Sequence, residues 1–182
     1  MAEKRFEKLE QGMDLDKAKS LLSESVKKAI KKEADSFELY AMGLMVDCES
    51  PIEQLMAIGL SKVNIKDFNN FNKDILVLQV KSQEEMETGH RVDFIIACVF
   101  TIGTKEFDIS FVVECDSFEF HSSKEHMIKD YKRTRELQLD NRYVLKFTGS
   151  EICKDPVACA EEVREFILST YYQFKIATAE VR

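Results

Sequence analysis

Two apolar runs, VDFIIACVF over Val92–Phe100 and FDISFVVEC over Phe107–Cys115, stand on either side of the hexapeptide TIGTKE. No other feature constrains the fold as much. Two β-rich segments with a glycine between them read as a hairpin. A two-residue turn on Gly103-Thr104 places Ile102 opposite Lys105. The same register carries Asp93 to a position facing Glu114. Side-chain alternation then puts Glu114 and Asp116 on one face of the second strand, with Val113 and Cys115 on the other.

Acids embedded in apolar strands are costly unless something compensates their charge. Carboxylates at cross-strand spacing, about 5 Å between Cβ atoms, also repel each other. A shared hard cation relieves both, so Asp93, Glu114 and, as further candidates, Glu53 and Asp116 read as an oxygen-rich site for Mg²⁺ or Mn²⁺. His121 follows the acidic strand closely enough to swing back toward it, where it could orient or deprotonate a water. A surface histidine is the plainer reading of the same residue, as it is for His90 and His126.

The five cysteines, Cys48, Cys98, Cys115, Cys153 and Cys159, form no CxxC pair and are odd in number, which points to free thiols in a reducing compartment. The first residues, MAEKRFEKLEQGMDLDK, are charged and lack an apolar signal core. No apolar run reaches the length of a membrane span. A cytoplasmic protein without membrane contact is the expectation. The formal net charge of −7 argues against a partner held by overall field, so any polyanion must be met by a local basic patch. Lys129, Lys132, Arg133 and Arg135 supply one.

The remaining elements follow in order. Amphipathic spacing over 14–34 and the apolar stretch 37–46 give an N-terminal helical extension, residues 1–48. Ser50-Pro51 with Glu53 three positions after the serine starts a helix that runs to about Val63. Glu53 lies at the edge of its apolar stripe, where it could cap its own helix or point inward to a polar site. Ile75–Val80 reads as a strand, followed by a polar turn, KSQEEMETGH. Lys124–Leu139 is helical and stopped by Asp140-Asn141. Tyr143–Phe147 is a fourth strand, Thr148-Gly149-Ser150 a turn, and Asp155-Pro156 caps a last helix to about Gln173. The order is α-β-β-β-α-β-α, an α/β core over residues 49–182 with a mixed central sheet flanked by helices.

Certain strings are familiar when taken in order: Glu53 in the first helix, RVDF at 91–94, VECDSFEFH at 113–121, Asp130 and Arg133 in the next helix, and VLKFTGSEI at 144–152. Together they resemble the PD-(D/E)XK restriction-endonuclease-like superfamily, most of all the branch related to very-short-patch repair endonucleases. The resemblance spans roughly Ser50 to Phe174. It implies a restriction-endonuclease-like αβββαβα core and metal-dependent phosphodiester hydrolysis of nucleic acid, as a DNA endonuclease. It also implies metal ligation by Asp93, Glu114 and the carbonyl of Cys115, a metal-bound water held by Glu53, and a role for His121. In the motif that names the superfamily a lysine follows the glutamate by two positions. Here Asp116 stands there, as an acid commonly does in this branch, and His121, Lys129 or Lys132 are candidates to replace the lysine.

Two further readings stay open. A catalytically inactive nucleic-acid-binding or protein-interaction module on the same fold fits the net charge and the missing lysine. A structural domain whose acids serve solubility fits less well, because Asp93 and Glu114 lie inside apolar strands. A homodimer is the form expected of a double-strand cutter.

Overall fold

The hairpin forms with the expected register. In the computed structural model β2, Arg91–Ile102, and β3, Lys105–Asp116, pair antiparallel with Ile102 opposite Lys105, and Gly103 turns the chain at φ 64°. A left-handed residue is what a tight hairpin turn requires, and glycine takes it without strain. The structure describes residues 37–86, 89–116 and 124–180, together with Lys31. His121 and, apart from Lys31, the stretch 14–34 lie outside the described residues.

The chain divides into two units, Met1–Leu39 and Tyr40–Arg182. In the first, Lys31 and residues 37–39 are helical. The second carries a helical stretch over 40–45 and then α1, Pro51–Lys62. Ser50 is extended and its hydroxyl accepts from the Glu53 amide, with proline in the first turn, so the helix starts where its capping residues dictate. A short 3₁₀ segment, Ile65–Asn70, follows and buries Ile65 and Phe68.

The first strand, β1, is longer than its apolar residues suggest. It covers Ile75–Glu85, so KSQEE belongs to the strand and not to a turn. The sheet order β1-β2-β3-β4 explains this. As an edge strand β1 pairs on one side only, and a polar segment can serve there. The fourth strand, β4 at Arg142–Thr148, runs parallel to β3, and α2, Lys124–Leu139, makes the crossover between them. Asn141, at φ 57°, ends α2 in the left-handed conformation expected of it.

Residues 149–154 also depart from expectation. They form a short helix, α3, capped by Thr148 in a reciprocal capping box with Glu151. The last helix, α4, begins at Pro156 with Asp155 accepting from the amides of Val157 and Ala158, and continues past Gln173 to Glu180. The chain is therefore α/β, with a four-stranded mixed sheet between helices.

One face of the sheet packs Phe94, Ile96, Phe100, Phe111 and Val113 against Met56 and Leu60 of α1 and Val163, Ile167 and Tyr171 of α4. At Gly59 the two helices approach so closely that a Cβ would lie 2.1 Å from the Pro156 carbonyl oxygen. The other face is covered by α2 through a small cluster of Met86, Val92, Ile95, Val112 and Leu137. Among the described side chains of α2, Leu137 alone is buried, so polar contacts must supply much of its docking. All five cysteines are free. Among the described residues no helix is long and apolar enough to cross a membrane.

Candidate active site

The sheet forks at the acids. The β2–β3 ladder ends at Phe94–Val113, one step short of Asp93 and Glu114. The β1–β2 ladder runs on to Glu85–Arg91, and β3–β4 to Asp116–Thr148. Alternation along β2 also breaks here: Phe94 lies in the main core, yet Val92, two residues earlier, lies in the cluster under α2. Where the strands part, side chains satisfy backbone groups. Asp93 Oδ2 accepts from the Cys115 amide at 2.7 Å, and Arg133 donates to the Arg91 carbonyl at 2.7 Å.

Glu114 is 3% exposed. Both its oxygens lie within hydrogen-bond distance of one guanidinium nitrogen of Arg133, at 2.8 and 2.7 Å. Burial nevertheless dominates and pushes its carboxyl up to about 7, with Asp93 adding to the rise and Arg133 and Lys146 opposing it. Asp93 is also raised, by burial first and by the charges of Glu53 and Asp116, against the Cys115 amide bond and Arg133. Asp116 is raised by burial and by Asp130, against Lys146 and Arg133. The same negative field reaches the thiols. Burial, Glu53, Asp93 and Asp47 push Cys48 up to about 12, and Cys115 rises through burial, Asp93, Glu53 and Glu114.

Glu53 does both things its position allowed. It is 7% exposed; one oxygen accepts from the Ser50 hydroxyl at 2.6 Å and the other from the Glu49 amide at 2.7 Å. That second oxygen also takes the Gln83 amide at 2.8 Å, which ties the helix to the fork.

Two residues of the site were not read as such from the sequence. Lys146 pairs in register with Glu114 across β3 and β4, and its Nζ lies 2.7 Å from each oxygen of Asp130. A signal existed, since a lysine inside the apolar string YVLKF raises the same question as an acid in a strand. Gln83 carried no such signal, because it lay in a stretch taken for a turn.

The four basic residues in the middle of α2 separate. Arg133 turns inward onto Glu114, while Lys129, Lys132 and Arg135 are exposed. His90 bonds Glu136 at 2.8 Å. His121 and the side chain of His126 lie outside the described residues.

The donor set fits a hard divalent cation. It consists of carboxylate oxygens on carboxyls raised first by burial, with Glu53 and Asp116 adding to the rise at Asp93, Asp93 and Asp116 at Glu114, and Asp130 at Asp116; among the described residues Asp93 Oδ1 has a single distant amide at 3.4 Å. Among the described residues no three His, Cys, Asp or Glu side chains form a ready-made ligand cluster. Magnesium commonly needs no more than one or two carboxylates, with water and substrate phosphate completing its shell. The chain matches no family model, no curated protein and no solved structure.

Proposed function

We propose that the chain is a divalent-metal-dependent phosphodiesterase acting on nucleic acid, as a DNA endonuclease, on a core of the restriction-endonuclease-like kind. The observation that carries this reading is the fork, where half-buried Asp93 and buried Glu114 lie at the end of the ladder with carboxyls raised by burial and by their neighbours. Asp93 and Glu114, together with the Cys115 carbonyl, would hold Mg²⁺ or Mn²⁺. Such a cation supplies polarisation of a phosphoryl oxygen, a water of lowered pKa and neutralisation of the leaving oxygen. Glu53 fixes a water at the helix end of the site. Lys146, on the flank of Glu114, offers a positive charge to a phosphate oxygen, and Asp130 holds its ammonium in place. This gives Lys146, and not Lys129 or Lys132, the place of the lysine that Asp116 lacks. Asp116 adds negative charge beside the pair, and His121 keeps the water-orienting role expected of it. Lys129, Lys132 and Arg135 offer exposed charge to the phosphate backbone.

One observation favours a second reading, a nucleic-acid-binding or interaction module that does not cut. Arg133 already compensates Glu114 without a metal.

Linear, supercoiled and single-stranded DNA incubated with Mg²⁺, Mn²⁺ or EDTA separate the two. Hydrolysis requires metal-dependent cleavage that Asp93→Asn or Glu114→Gln lowers by roughly a thousandfold or more, and that Lys146→Met lowers about a hundredfold. Binding without cleavage, unchanged by EDTA and by both acid substitutions, would establish the module instead.

A further inference from the structure

Gln83 lies within β1, between Ser82 and Glu84, which face Phe94 and Val92 of β2. Its φ is 51°, in the left-handed region that residues with a Cβ enter only with strain. No turn demands this, because the strand continues on both sides. The residue uses the conformation to bring its side chain under the fork. There Nε2 donates to Glu53 Oε2 at 2.8 Å and lies 3.4 Å from Asp93 Oδ1. Carboxylates only accept, so the amide nitrogen must be the atom that faces them.

One neutral group thus stands between an acid of α1 and an acid of β2 that repel each other, the charge of Glu53 being one cause of the raised Asp93 carboxyl. A lysine or arginine would bridge them as well, but its charge would compete with a bound cation. An amide bridges without competing. We propose that Gln83 is a positioning residue, held in a strained backbone in order to aim Glu53 and Asp93 at a divalent cation. This rests on the cation reading of the site given above. Strain kept inside a strand, two residues before its end and at a site of converging acids, fits a functional demand better than a folding one.

Gln83→Gly removes the strain and the amide together, and Gln83→Ala removes the amide while keeping a Cβ. Stability is read as the melting temperature in EDTA, and metal affinity as Mn²⁺ bound in an EPR titration without substrate. Gln83→Gly is expected to melt at or above the wild-type temperature and higher than Gln83→Ala. Both variants are expected to bind Mn²⁺ about tenfold more weakly than wild type. A Gln83→Gly protein that melts lower than wild type, or either variant binding Mn²⁺ as wild type does, would overturn the positioning role alone. Wild-type protein that takes up no Mn²⁺ at millimolar concentration would overturn the cation reading and this role with it.

Discussion

At Glu114 two physical effects oppose each other. The guanidinium of Arg133 favours the carboxylate, whereas nearly complete burial favours the acid, and burial prevails. A carboxyl that titrates near 7 when folded and near 4.5 when unfolded binds its proton more tightly in the native state. Its contribution to stability is therefore full below the unfolded value and is lost as pH rises toward the folded one. Asp93 and Asp116, both raised, act in the same direction. In EDTA, urea unfolding should show stability falling between pH 5 and pH 8 by up to about 3 kcal/mol. Glu114→Gln should flatten much of that fall. A stability that climbs over the same range would mean Arg133 outweighs burial. Arg133→Met gives a complementary result: at pH 8, where the wild-type Glu114 is ionised, it removes the partner of a buried charge, at a cost of up to about 3 kcal/mol in EDTA. If Glu114 ligates metal, Mn²⁺ restores most of the loss; if Arg133 is its permanent counterion, Mn²⁺ restores none.

At the scale of elements, α1 and α4 are joined at Gly59. A methyl group there would press against the Pro156 carbonyl at 2.1 Å, a backbone atom that cannot move aside without shifting the start of α4. Gly59→Ala should cost about 1–3 kcal/mol of stability, measured by urea denaturation. An unchanged stability would show that the two helices slide apart freely. The same scale shows which features were legible from sequence. The hairpin register followed from Gly103-Thr104, because turn chemistry acts locally. The starts of α1 and α4 followed from Ser50-Pro51 and Asp155-Pro156 for the same reason. The polar half of β1 was not legible, since an edge strand can do without the alternation that reveals a strand. Nor was α3, whose six residues are too few to show a helical period. At the site, Asp93, Glu53 and Glu114 stood out as acids beside apolar residues. The fork itself did not, because a left-handed Gln83 and a ladder that stops at Phe94 leave no trace in composition. Nor did the inward turn of Arg133, which shares its helix with three exposed basic residues.

For the whole molecule, a formal charge of −7 and a fork lined by acids make a poor surface for a polyanion unless a cation joins the site. The helix α2 gathers the relevant charges, with Arg133 and Asp130 reaching inward to Glu114 and Lys146. Lys129, Lys132 and Arg135 remain exposed on it. Metal-dependent cleavage depends on the fork being a divalent-cation site formed by Asp93 and Glu114. Fe²⁺ with ascorbate tests this most directly, because hydroxyl radicals formed at a bound iron cut the polypeptide beside its ligands. Fragments ending near Asp93 and near Glu114 are expected, suppressed by excess Mg²⁺ and lost in Asp93→Asn. Fragments ending elsewhere, or none above the Asp93→Asn background, would contradict a cation site there.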